Sequence, residues 1–112
     1  MPWLLRDKEV LASVEVMESR AARLRGLRGR DGFDGAVLLR PARAVHTVGM
    51  RFAVDVAFCD SEMVVVHLVS AVAPFRLVLP RPRSRCVIEA AAGSFERWCL
   101  RPGDKLEVEV EV

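Results

Sequence analysis

Residues 51–59 alternate Phe52, Val54, Val56 and Phe58 against Arg51, Ala53, Asp55, Ala57 and Cys59, the period of an extended strand with one face in a core. An ionisable group, Asp55, stands in the middle of that strand. A lone carboxylate taken out of water costs several kcal/mol or titrates upward, so any fold containing this strand must give Asp55 a partner. The segment before it, His46-Thr47-Val48-Gly49-Met50, is a polar turn. Its Gly49 permits a positive φ and close approach of another group to the backbone.

The rest of the chain supplies more short strands. Residues 9–16 place Val10, Ala12, Val14 and Val16 on one face and Leu11, Ser13 and Glu15 on the other. Residues 36–40 form a short buried strand ended by Pro41, which cannot donate to a ladder. The 51–59 strand and the β-branched run 63–69 flank Asp60-Ser61-Glu62, which predicts a hairpin. Residues 76–79 and 86–90 are two further strands around an exposed proline- and arginine-rich link, 80–85. The last strand, 105–112, sets Leu106, Val108, Val110 and Val112 towards a core and Glu107, Glu109 and Glu111 towards water. Those acidic residues would discourage edge-to-edge pairing. Ser19 caps a short helix at 20–25 that stops at Gly26, and Ser94 caps a second at 95–99. Pro102-Gly103 suits the centre of a type II turn. The expectation is a mainly β (α+β) domain: a small antiparallel barrel or sandwich of six to seven short strands with two short helices.

At 112 residues the chain has room for one core, so a single domain over residues 1–112 is expected. Its longest apolar run, 63–69 interrupted by His67, is far below the roughly 20 residues that span a bilayer. The first residues show no basic stretch followed by a long apolar one, which sets the expectation of a cytoplasmic protein without a signal peptide. Cys59, Cys86 and Cys99 are neither an even set nor a close pair, and they fit a reducing compartment.

Taken in order, His46 to Asp60 (HTVGMRFAVDVAFCD), preceded by Arg23-Leu24-Arg25-Gly26-Leu27 and followed by Glu89, Ala92-Gly93-Ser94, Glu96-Arg97 and Leu100-Arg101-Pro102-Gly103-Asp104, resembles the DUF192 family. The resemblance covers nearly the whole chain. It implies a compact β-barrel-like domain with small helices, found in bacteria and archaea and often placed behind an export signal. It carries over no catalytic residues.

Candidate ligand-binding residues are His46, Thr47, Gly49, Arg51 and Asp55. For Asp55 two readings stand: a structural carboxylate bonding backbone amides in the Thr47–Met50 turn, or a ligand contact. For His46 and Gly49 the alternatives are a small anion pocket, or an exposed loop histidine beside a simple turn. His67 reads as a strand histidine with one satisfied nitrogen. Neither a Cys-His nucleophile signature, a metal-ligand spacing nor a phosphate loop is present, so no cofactor and no metal are expected.

Arginine supplies all but two of the 17 basic residues and gathers at Arg20, Arg23, Arg25, Arg28 and Arg30, then at Arg76, Arg81, Arg83 and Arg85. Guanidinium groups suit phosphate and carboxylate. Nucleic-acid sites add stacking aromatics, whereas this chain has no tyrosine and its strand pattern buries several of its other rings, which argues against that partner. The preferred expectation is a non-enzymatic accessory or binding module, a monomer or weak dimer, that engages a small anionic or polar ligand or a protein. The alternatives are a small hydrolase or carbohydrate-modifying enzyme using Asp55 with His46, and a weak nucleic-acid binder through the arginines.

Overall fold

The computed structural model describes residues 2–110. They form β1 (Trp3–Arg6), β2 (Glu9–Met17), α1 (Arg20–Arg25), β3 (Ala36–Leu39), β4 (Val45–His46), β5 (Val54–Cys59), β6 (Val65–Val72), β7 (Leu77–Val78), β8 (Cys86–Ala91), α2 (Ser94–Arg97) and β9 (Leu106–Glu109). Seven strands make one sheet in the order β6-β5-β8-β3-β2-β1-β9, while β4 and β7 pair separately. The expected antiparallel character holds everywhere except between β2 and β3, which run parallel. A parallel neighbour requires a crossover, and α1 with the loop behind it supplies one. The two strands beyond the expected seven are β1 and β4, which are too short to show a period of their own.

β2 is the corner of the architecture. Its first half pairs with β1 and its second half, Val14–Met17, pairs with β3. The far edges touch at one end, where Val64 bridges Lys105 and the Val65 amide donates to the Asp104 carbonyl at 2.8 Å. The sheet therefore curls towards a barrel without closing. This leaves two apolar layers: Leu38, Ala57, Ile88 and Ala90 face Leu4, Phe95 and Leu106, whereas Val37, Val56, Phe58 and Val87 face Leu27, Val45, Met50 and Val78.

Two expected alternations break, each for a local reason. The β1–β2 register shifts between Leu4 and Leu5, whose partners are Ala12 and Val10, so Leu11 is the extra residue of a bulge. Leu11 consequently packs against the first layer while Val10 is 41% exposed. On β9, Leu106 is buried but Val110 is 67% exposed, because the partner strand β1 runs out at the Trp3–Glu109 pair. Glu111 and Val112 lie outside the described residues.

Helix α1 forms as its sequence demands: the Ser19 hydroxyl accepts from the Ala22 amide at 3.0 Å, and Gly26, at φ +46°, returns its amide to Ala22. Helix α2 departs from expectation. Ser94 is its first residue rather than its cap, and its hydroxyl accepts from the Arg97 guanidinium at 3.1 Å. The capping is done from a distance by Asp55, whose Oδ2 accepts from the amides of Gly93 and Phe95 at 3.0 and 3.1 Å. Its Oδ1 accepts from the Ala71 amide at 2.9 Å. One buried carboxylate thus ties β5 to the bulged end of β6 and to the β8–α2 turn. Because hydrogen bonds to a charged acceptor are each worth roughly 1.5–3 kcal/mol, Asp55→Ala should lower the unfolding free energy by about 3 kcal/mol or more in urea. A loss below about 1 kcal/mol would show that Asp55 does not hold these elements.

Candidate functional site

The crossover from β2 to β3 lays α1 over the second apolar layer but not tightly, since α1 buries none of its own residues. Between α1 and the 41–46 segment lies a cavity of about 280 Å3. Its walls carry the apolar side chains Leu24, Leu39, Val45 and Met50, with His46 and the guanidinium-bearing Arg20, Arg23, Arg25 and Arg28 around them. Arg23 donates to the Pro41 carbonyl at 3.0 Å and so links the two walls. None of the four arginines meets a carboxylate among the described residues, whereas Arg6, Arg30, Arg40 and Arg51 all do.

Glu89 forms the floor. On β8 it follows Val87 at period two, so its side chain falls on the second face, opposite Val37 and Val56. It is 1% exposed, and neither carboxyl oxygen has a hydrogen-bond partner among the described residues. Gly26 lies against it, where a β-carbon would stand 3.7 Å from Oε1. Burial alone pushes the carboxyl up from 4.5 to about 7.

A carboxyl whose folded value is raised binds more protons in the native than in the unfolded chain. Its presence therefore erodes stability as pH climbs from 4.5 towards 7, and the loss is complete above that window. At roughly 1.4 kcal/mol per unit the erosion is of order 3 kcal/mol. Glu89→Gln, which cannot ionise, should show a stability advantage over the parent that grows by that order between about pH 4 and about pH 8. A constant difference across that range, measured by urea unfolding, would mean that Glu89 ionises normally.

The residues singled out in the sequence are dispersed over the molecule rather than gathered at this cavity. His46 lines it. Gly49, at φ +83°, serves it indirectly: the Arg28 side chain lies against its backbone so closely that a β-carbon would come within 2.7 Å of Arg28 Cγ. Thr47 is wholly buried and faces away, donating from its hydroxyl to the Ala73 carbonyl at 2.7 Å and accepting from the Arg76 amide at 2.8 Å. Arg51 is exposed and pairs with Asp31 at 2.8 Å. Asp55 is on the opposite face of the sheet with Ala57 and Cys59, under α2. Its amides come from Ala71, Gly93 and Phe95, not from the Thr47–Met50 turn. The Asp55–His46 acid–base pair is not assembled.

The two arginine groups do not share one pocket, for Arg76 and Arg81 line a separate groove beside β6 and β7. Arg81 donates to His67 Nε2 at 2.9 Å, which places the ring proton on Nδ1. Cys59 and Cys86 face each other across β5 and β8, both buried as free thiols. The Cys59 thiol is pushed up by its hydrogen bond with Cys86 and by burial, so it is not an activated nucleophile. Glu89 enters the sequence reading only as part of the family pattern and not as a candidate site residue. The available signal was its place between Ile88 and Ala90 in an apolar run, the same signal that drew attention to Asp55.

These features define a mostly β protein with a basic, apolar-walled cavity over one buried acid. Residues 4–108 match the family model DUF192, described as "Uncharacterized ACR", and the chain belongs to that family. A UPF0127 protein from Pyrococcus furiosus is 28% identical over 107 residues, 91% of each chain. A protein of unknown function from Novosphingobium aromaticivorans has a TM-score of 0.81 at 18% identity, over 95% of this chain and 82% of that one. A protein from Sinorhizobium meliloti, whose name proposes a role in transcription regulation, has a TM-score of 0.82 at 20% identity, over 96% and 91%. At these identities the two structures speak for the fold. No helix among the described residues is long and apolar enough to cross a membrane.

Proposed function

We propose that this chain is a non-enzymatic binding module for a small organic anion, taken up in the cavity between α1 and the 41–46 segment. The observation that carries this reading is the set of four arginines without carboxylate partners around one apolar-walled cavity. Guanidinium groups without carboxylate partners offer planar forks of donors to phosphate or carboxylate, and the apolar walls beside them can receive a hydrocarbon portion of the ligand. His46 adds a further polar group, and Gly49 sets the position of Arg28. Of the residues first considered, His46 contacts the ligand in this reading, Gly49 supports the site, and Thr47, Arg51 and Asp55 serve the scaffold. Three free cysteines, two of them buried, favour action in a reducing cytoplasm.

A second reading is catalysis, with Glu89 in place of Asp55 as the acid or base. Its favouring observation is a carboxyl that titrates near neutrality beside a cavity.

An amide-resolved NMR titration with short-chain organic phosphates and carboxylates tests both readings. Saturable shifts should cluster on α1, on residues 45–50 and on Glu89, with the added compounds recovered unchanged. Arg25→Gln with Arg28→Gln, both on exposed residues, should weaken binding at least tenfold, about 1.4 kcal/mol or more, without altering stability. Shifts confined to other surfaces, or unchanged affinity in the double variant, would refute the site. Turnover of an added compound that is lost in Glu89→Gln would favour the enzyme.

A further inference from the structure

We infer that Glu89 selects the ligand: the cavity takes an organic anion whose apolar body ends in a hydroxyl group, with the anionic head on the arginines and the hydroxyl on the Glu89 carboxyl. This rests on the binding reading above and names its ligand class.

The inference follows from an imbalance in the cavity. The arginines can hold an anion, yet an anion alone leaves both Glu89 oxygens as they are, buried and unpartnered. Leaving a buried polar group unsatisfied is costly, so a fold that keeps one against a cavity gains most from a ligand that satisfies it. A second anionic group at that end would meet repulsion from the ionised carboxyl. An apolar end would leave it unpaired. A hydroxyl both donates and accepts, and so fits the carboxyl in either protonation state without burying another charge. Leu39, Val45 and Met50 also line the cavity, and these apolar side chains suit a hydrocarbon body.

The local backbone is compatible with such contact. Glu89 is closed to bulk solvent, and Gly26 at the end of α1 lies against it with no side chain to obstruct the carboxyl. Helix α1 buries none of its residues and only Ala22 packs against the second layer, so a small outward shift of the helix, pivoting on the buried Leu27, disturbs few contacts. The link from Arg23 to the Pro41 carbonyl is a side-chain contact that can break and re-form as the wall moves.

The test uses matched pairs of ligands on the whole chain by calorimetry: ethyl to hexyl phosphates with and without a terminal hydroxyl, and the corresponding carboxylates. The expected result is that at one chain length the hydroxylated member of a pair binds roughly tenfold tighter than the plain one. The phosphate and carboxylate arms identify the head group. Glu89→Gln, which keeps an acceptor oxygen and gains a donor amide, should retain the preference for the hydroxyl. Glu89→Leu should abolish that preference while still binding the plain anion, a pattern that a merely structural Glu89 would not produce. Equal binding within every pair would overturn this inference and leave the arginine site standing. Failure of every compound in both arms to bind would overturn both.

Discussion

Asp55 on β5 and Glu89 on β8 sit one rung apart in the same sheet, because Val56 is the residue opposite Glu89 and Ala90 the residue opposite Asp55. Their side chains emerge on opposite faces, and both are removed from water. Asp55 recovers what it lost in solvation from the amides of Ala71, Gly93 and Phe95. That triple acceptance fastens α2 and the end of β6 onto the central strands, and so holds together the layer that includes Phe95 and Leu106. Glu89 finds no hydrogen-bond partner among the described residues. The same physical demand is therefore met on one face and left open on the other, and the open face is where the cavity lies.

The topology explains why the cavity forms there. β2 turns the corner of the sheet and must be followed by a crossover before β3 can lie parallel to it. The crossover brings a six-residue helix and the buried anchor Leu27 over the second apolar layer. β4 and β7, paired only with each other, close the adjoining part of that layer through Val45 and Val78. Between these two covers the packing is incomplete, and the arginines of α1 are carried to the gap. A helix with no buried side chain is poorly suited to stabilising a core. It is well suited to forming a wall that can adjust around a ligand.

Much of this was legible from residue patterns. The α1 boundaries followed from Ser19 and Gly26, and the β5–β6 hairpin followed from two apolar runs around a polar turn. Pairing decided what pattern could not. β1 and β4 exist because of their partners, and the bulge at Leu11 reverses a face that strict alternation assigned otherwise. The cap of α2 was misassigned to Ser94 because the true acceptor, Asp55, lies 40 residues from the Phe95 amide it holds, beyond the reach of any local rule. For the site, Asp55 and Glu89 carried the same sequence signal, an acid within an apolar strand. Only the three-dimensional hydrogen-bond inventory separates the one that is satisfied from the one that is not. His46 and the first arginine group come together around one cavity, whereas Thr47, adjacent to His46 in sequence, faces away from it and bonds the Ala73 and Arg76 backbone.

The measurement that bears most directly on this account is the site-resolved titration of the Glu89 side-chain carboxyl by carbon-detected NMR in the unliganded protein. The account predicts a midpoint near 7, set by burial without compensation. A midpoint in the ordinary glutamate range would show that the carboxyl finds donors or water in solution. The distinction between the two buried acids, and the ligand selection assigned to Glu89, would then fall.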